Sequence, residues 1–147
     1  GFFGDLRNAR SVNSTLKALS QFNCQFTFIS NDDLTLPDHL KDHIGASSHD
    51  FVHPKELHKV LPMFDVLYVT RMQKERIQEE TMPSSFRLSL DDLTVSKKEL
   101  MILHPLPRVD EMDKSIDSDP KAFYFKQAKN GIYVRMALLA LVLNKLE

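Results

Sequence analysis

Along this chain, short continuous apolar runs alternate with longer stretches in which apolar residues return every three or four positions. The first pattern belongs to buried strands and the second to amphipathic helices. Val12, Leu16, Leu19 and Phe22 predict a helix over Ser11 to Phe22, and Phe26 to Ile29 predicts a strand. Proline suits the first helical turn, where its missing N–H is not needed. Pro37 is therefore expected to open a short helix through Ile44, and Pro54 another with Leu57, Val60 and Leu61 on one face. His49 to Val52 reads as a short strand between them, and Asp65 to Val69 as the clearest buried strand, β-rich and almost wholly apolar. Residues 77–96 are polar and indistinct, with a candidate short strand at Phe86-Arg87-Leu88. Leu100 to Leu103 predicts the next strand. Asp119 and Pro120 have the chemistry of an N-cap followed by the first helical residue, Asn130-Gly131 is expected to break that helix, and a last helix is expected from Ile132 to Leu146.

Strands separated by helices predict an α/β fold, a mostly parallel sheet with helices on both faces. Ligands of such sheets bind beyond the carboxyl ends of the strands. Three loops begin there: Gly4-Asp5-Leu6-Arg7, Thr70-Arg71-Met72-Gln73 and His104-Pro105-Leu106-Pro107. Only Gly1-Phe2-Phe3 precedes the first of them, a stub where a central strand is expected, so the chain is expected to begin inside a structural element.

Composition narrows the classes of function. The chain has 147 residues, 42% of them apolar and 27% charged, which suits one soluble domain with a real core. Its 19 basic and 20 acidic residues leave a formal net charge of -1, so no basic excess points to a nucleic-acid partner. The longest apolar run, Met136 to Leu143, is too short to span a bilayer, which argues against a membrane partner. Cys24 is the only cysteine; it is expected to be a buried, inert thiol in a reducing, cytoplasmic setting.

The candidate chemistry gathers at the predicted strand ends. Two prolines within three residues of His104 remove two N–H donors and fix φ, so the carbonyls of His104, Pro105 and Leu106 have few local partners. Such a loop can accept N–H groups of a ligand, and Arg108 adds a cation at the same edge. Arg71 and Gln73, two residues apart after a strand, can point the same way and offer a planar fork and an amide to a carboxylate, with Glu75 near enough to hold Arg71. An ordinary surface ion pair is the competing account of Arg71. Arg10 at a helix start opposes the macrodipole, which suggests an anion nearby, either a ligand or Asp5, and Ser11 stands beside it. The G-x-G-x-x-G spacing of a dinucleotide site is absent. His39/His43 and His49/His53 are each four apart but lack a zincin glutamate and a third ligand, so exposed or capping histidines are expected and no metal. His104 is expected to brace the proline loop. Donors and carbonyls without an obvious base suit a reaction that needs orientation and charge stabilisation.

At these residues the sequence resembles the aspartate-binding half of the aspartate carbamoyltransferases. The resemblance runs from Gly4 to Asn144 and rests on Gly4-Asp5-Leu6 with Arg10, on Asp65 to Tyr68 leading to Thr70-Arg71 and Gln73 to Arg76, on His104 to Glu111, and on Tyr124-Phe125, Gln127-Ala128 and Asn130-Gly131. Ornithine enzymes of the same family carry a His-Cys-Leu-Pro loop, so Pro105 and Arg108 to Glu111 favour the aspartate branch. The resemblance implies a Rossmann-like aspartate-binding domain over residues 1–131 and a crossover helix over 132–147. It implies transfer of a carbamoyl group from carbamoyl phosphate to L-aspartate in pyrimidine synthesis, with no cofactor and, in the complete enzyme, a homotrimer.

Position by position, it implies that Arg10 grips the α-carboxylate with Ser11 beside it, and that Arg71 and Gln73 hold the β-carboxylate while Glu75 orients Arg71. The carbonyls of Pro105 and Leu106 would receive N–H groups of the carbamoyl moiety and the amine, next to a cis Leu106–Pro107 bond, and Arg76 would pair with an acidic residue of another domain. Ala9, Ser11 and Asn13 depart from the family's Gly, Thr and His. The family's phosphate cradle is not in this chain, so the resemblance implies half an active site, with carbamoyl phosphate held by an N-terminal domain that is missing. Ile132, Met136, Leu139, Ala140 and Leu143 predict an apolar stripe on the last helix, which either covers this domain's own sheet or, on the path the resemblance implies, packs on the missing N-terminal domain and is exposed here. The rival readings are a non-catalytic chain that binds dicarboxylates or joins full-length subunits, and carbamoyl transfer to a different amine.

Overall fold

The computed structural model describes residues 1–44, 49–72 and 87–144. Five parallel strands form one sheet: β1 (Phe2–Phe3), β2 (Phe26–Ile29), β3 (His49–Val52), β4 (Val66–Val69) and β5 (Met101–Leu103), in the order β3-β2-β1-β4-β5. The helices are α1 (Arg10–Leu19), α2 (Asp38–Ile44), α3 (Leu57–Val60) and α4 (Tyr124–Val142), with 3-10 turns between them. The two-residue β1 lies in the middle of the sheet, paired with β2 through Phe2↔Phe28 and with β4 through Phe2↔Tyr68.

The pleat sends successive side chains to opposite faces, and the core divides accordingly. Phe2, Phe26, Phe28 and Tyr68 pack with Val12 and Leu16 of α1 and Leu40 and Ile44 of α2. Phe3, Ile29, Leu67, Val69 and Ile102 pack on the other face with Leu57, Leu93, Ile116 and Tyr124. The ring of Phe2 lies 5.8 Å from that of Phe28 and 5.6 Å from that of Tyr68, contacts worth about 0.5–1.5 kcal/mol each beyond their burial. These rings fasten the short central strand to both neighbours.

Most predicted elements are present, with shifted ends: α1 starts at Arg10, β4 at Val66 and β5 at Met101. Leu88 forms an isolated bridge to Met112, whereas Phe86 lies outside the described residues. Cys24 is half-buried, packed against the α1/α2 core rather than enclosed in it.

The C-terminal third corrects two expectations. No helix starts at Asp119 and Pro120. The Asp119 carboxylate does accept a backbone N–H, but from Lys121 at 2.8 Å, which closes a turn. Lys121 then accepts the Ile102 N–H at 2.8 Å and Phe123 donates to the Ile102 carbonyl at 3.0 Å, so this stretch pairs with the edge of β5 and helix begins only at Tyr124. Nor does Asn130-Gly131 break the chain: α4 runs unbroken through both, since a mid-helix glycine costs only about 1 kcal/mol.

Beyond its first turn α4 leaves the sheet. Ile132, Tyr133, Val134, Met136, Leu138, Leu139, Leu141 and Val142 are each more than half exposed, so the helix neither covers the sheet nor confines its apolar residues to one stripe. Among the described residues no helix is long and apolar enough to cross a membrane.

Candidate functional site

In this strand order the chain winds outward from β1 to β3 and then crosses to β4, so the connections after β1 and β4 lead to opposite faces of the sheet, the point at which such sheets commonly bind ligands. Gly4 to Ala9 follows β1, Thr70 and Arg71 follow β4, and His104 follows β5. The sequence-predicted residues Arg10, Ser11, Arg71, Pro105, Leu106 and Pro107 all belong to these three neighbouring connections. Gln73, Glu75 and Arg76 lie outside the described residues.

The β1 and β4 loops are held together by one threonine. Buried Thr70 donates its N–H to the Phe3 carbonyl at 2.8 Å, and its hydroxyl lies 3.3 Å from that carbonyl and 3.2 Å from the carbonyl of Asp5. Gly4 makes this approach possible with φ +117°. Asp5 is fully buried, and its carboxylate accepts the Asn8 N–H at 2.9 Å and both-oxygen contacts from the Asn8 amide at 3.1 and 3.2 Å. The turn is completed by Leu6 and Arg7, whose N–H groups both reach the Leu34 carbonyl. Asp5 therefore serves the turn, and the anion that the sequence suggested for Arg10 must be sought elsewhere.

This turn delivers Arg10 to the start of α1. Ala9 at the N-cap has no side chain that could bond the free N–H groups, and no acidic residue occupies the first turn. Arg10 is exposed, and among the described residues its guanidinium has no side-chain partner. Uncapped N–H groups beside a cation favour an anion. Arg71 is half-buried while Met72 after it packs into the core, the alternation expected of an extended exit from β4.

The β5 loop is tied at both ends. The His104 N–H donates to Gln127 Oε1 of α4 at 2.9 Å, and the buried ring joins two partners: Nδ1 accepts the Leu106 N–H at 2.8 Å and Nε2 lies 2.8 Å from Glu111 Oε1. The Glu111 carboxylate also accepts the Val109 N–H at 3.1 and 3.2 Å. Burial alone would push this carboxyl up; the bonds from His104 and Val109 outweigh it and hold the group below the ordinary glutamate range. Leu106 takes φ +54°, and the Leu106–Pro107 bond is cis.

Arg108 corrects the expectation of a cation presented at the edge. Its guanidinium forms a two-pronged pair with Asp117, donates to the Tyr124 hydroxyl at 3.1 Å and lies 5.6 Å from the Tyr124 ring centre. The partners are nine and sixteen residues further on and come together only through the fold, which is why sequence reading missed the pairing. Tyr124 also donates to Asp117. Burial, and then the bond to Asp117, push the Tyr124 phenol up to about 12. Because the folded value is raised, this contribution is complete below the ordinary tyrosine value of about 10 and is lost as the pH rises through 12. Tyr124→Phe is expected to cost about 1–2 kcal/mol at neutral pH and to flatten the loss of stability across that alkaline window, as urea titrations at stepped pH would measure. An unchanged alkaline limb would contradict the assignment.

Two surface cavities lie outside this set. One of about 280 Å³ opens beside Ser30, Lys41, Phe51 and His53 at the β2/β3 edge. The other, about 370 Å³, lies beside Arg87, Val109 and Asp113. Neither includes Arg10 or Arg71. Of the predicted histidine pairs, His43 faces the Ser20 hydroxyl at 3.3 Å and His53 Nδ1 accepts the Lys55 N–H, a capping role.

Comparison with known proteins agrees with this geometry. The family model for the aspartate/ornithine carbamoyltransferase Asp/Orn binding domain matches residues 1–142. An aspartate carbamoyltransferase catalytic subunit from Alkaliphilus metalliredigens is 46% identical over 99% of the chain and 49% of that protein. Catalytic subunit 2 of Shewanella halifaxensis aspartate carbamoyltransferase is 45% identical over 97% of the chain and 47% of that protein. Among solved structures, the catalytic subunit of M. jannaschii aspartate transcarbamoylase superposes with a TM-score of 0.89 at 36% identity, covering 99% of this chain and 50% of that one. The Trypanosoma cruzi enzyme in complex with aspartate and phosphate gives 0.80 at 32% identity, over 94% of this chain and 45% of that one. The chain thus spans about half the length of these relatives. A match over nearly all of its residues, on a parallel sheet of the same architecture, means that the chain belongs to the aspartate/ornithine carbamoyltransferase family and corresponds to its aspartate/ornithine-binding domain.

Proposed function

We propose that this chain supplies the aspartate half-site of an aspartate carbamoyltransferase. The observation that carries the reading is the convergence, on three adjacent connections at one sheet edge, of Arg10 at an uncapped helix start, Arg71, and a proline loop whose Pro105 and Leu106 carbonyls accept no backbone N–H among the described residues. The T. cruzi relative, with aspartate and phosphate bound, supports the ligand class. In this reading Arg10 and Ser11 take the α-carboxylate, and Arg71 and Gln73, with Glu75 behind, take the β-carboxylate. The carbonyls of Pro105 and Leu106 receive N–H groups of the amine and of the carbamoyl moiety, beside Pro107. The amine attacks the carbonyl carbon of carbamoyl phosphate, the bond from that carbon to the phosphate oxygen breaks, and the departing phosphate takes the amine proton. Carbamoyl phosphate is held by a second domain, which Arg76 meets through an acidic residue, within a cytoplasmic homotrimer.

Arg71→Ala in a complete catalytic chain is expected to weaken aspartate binding about 100-fold, the loss of a charge-assisted fork on a carboxylate. Steady-state kinetics in aspartate at saturating carbamoyl phosphate would measure it, and unchanged aspartate dependence would sink the site assignment.

A second reading has one observation in its favour. The exposed apolar length of α4 suits a dicarboxylate-binding chain that associates with longer relatives without turning over. Mixing the chain with a carbamoyl phosphate-binding half separates the two: recovered carbamoyl-aspartate synthesis supports catalysis, and co-migration without activity supports association alone.

A further inference from the structure

We propose that His104 is a positioning residue for the carbamoyl-facing loop, a neutral imidazole that holds the Leu106 amide and so turns the Pro105 carbonyl away from the protein interior. This deepens the proposed function and rests on reading that edge as the ligand side.

The assignment begins with the tautomer. A backbone N–H can only donate, so the 2.8 Å contact from Leu106 to Nδ1 requires a lone pair there. The ring proton of neutral His104 then sits on Nε2 and is donated to Glu111 Oε1 at 2.8 Å. Both nitrogens are engaged and the residue is 1% exposed, so the ring offers no atom with which to exchange a proton with a ligand. His104 acts through its neighbours.

Peptide geometry carries the effect outward. The Leu106 N–H and the Pro105 carbonyl belong to one planar trans unit and point in opposite directions. Fixing that N–H on a buried ring therefore directs the Pro105 carbonyl away from the ring, and Pro105 itself is exposed. The next residue needs the help: Leu106 at φ +54° occupies the left-handed region, which is unfavourable for an ordinary side chain. The bond to Nδ1 offsets this. Glu111 anchors the ring from behind, since its own carbonyl accepts the Leu88 N–H at 2.9 Å and its carboxylate closes on Val109. Gln127 fixes the His104 backbone from α4. A residue held at both ring nitrogens and at its backbone N–H fixes the carbonyl of the proline that follows it.

The decisive measurement is nitrogen-15 NMR of histidine-labelled chain at neutral pH. The expected His104 pattern is a bare Nδ1 and a protonated Nε2; a protonated Nδ1, in either the other tautomer or the imidazolium, overturns the proposal. Two variants then divide the roles of the nitrogens. His104→Asn places an amide oxygen near the position of Nδ1, whereas His104→Gln reaches toward that of Nε2. The Leu106 amide is expected to exchange with solvent about tenfold faster in the Gln variant than in the Asn variant, the equivalent of one hydrogen bond. Equal exchange overturns the proposal, and if neither variant folds the wild-type ring spectrum decides.

In a catalytic chain complete with its carbamoyl phosphate half, the Asn variant is expected to retain more kcat than the Gln variant at similar KM for aspartate. Loss of one limb of the pH–rate profile in both would instead assign acid–base chemistry and overturn the idea. The spectrum and the exchange rates need no substrate. Failure of aspartate to bind would therefore remove the functional reading and leave the positioning result to stand or fall by itself.

Discussion

Gly4→Val is expected to destabilise the domain by about 4 kcal/mol or more, among the largest effects a single substitution has. Two costs coincide. At φ +117° a side chain is strained wherever it points, and a Cβ here would stand 2.5 Å from the Thr70 carbonyl oxygen and 2.7 Å from its hydroxyl. Thr70 cannot retreat, because its N–H and hydroxyl are what join β4 to the β1 loop. The consequence reaches the site, since Arg10 and Arg71 depart from opposite sides of this contact. Denaturant titration would show a lowered midpoint at an unchanged slope, and dicarboxylate binding should weaken in whatever fraction remains folded. A cost below about 1 kcal/mol would mean that the two loops are not in contact.

Glu111→Ala is expected to cost about 1–3 kcal/mol at neutral pH, the penalty for leaving a buried donor without its acceptor. The His104 Nε2–H would be buried without an acceptor, and the partly buried Val109 N–H would lose its partner. Its pH dependence carries a definite sign. Burial raises the Glu111 carboxyl and the His104 and Val109 bonds lower it by more, so the folded value lies below the unfolded one. The stabilisation is therefore present above the ordinary glutamate value, about 4.3, and disappears as the pH falls through the depressed one. Relative to wild type, Glu111→Ala should lose most at pH 7 and show a shallower acid limb. Glu111→Gln, which keeps an acceptor, should fall between them. Equal stability of all three at pH 7 would contradict the buried pair.

Where an apolar period was continuous, the sequence was a sufficient guide. The alternation Phe26-Thr27-Phe28-Ile29 and the run from Val66 to Val69 have only one way to bury both faces, and the parallel sheet follows. That Arg10, Arg71 and the Pro105 loop lie at one edge of the sheet was legible for a related reason: strand ends are marked in sequence. What failed depended on distant partners. Asp119 and Pro120 carry correct capping chemistry, yet the edge of β5 claims residues 121–123 first. Arg108 looks like a free cation until Asp117 and Tyr124 fold back on it. Gln127 and Tyr124 belong to the motif that marks the family, but only the coordinates reveal that they clamp the His104–Arg108 loop from one helical turn.

That clamp separates the edge into parts that salt will treat differently. Arg108 is half-buried, and its two-pronged pair lies at contact distance, where salt screens less than it does an open charge. Arg10 is exposed and works through open solvent, within reach of a screening atmosphere whose thickness is about 8 Å at physiological ionic strength. In the proposed half-site, raising ionic strength would thus loosen the hold of Arg10 on an anionic ligand before it disturbs the His104–Arg108 loop.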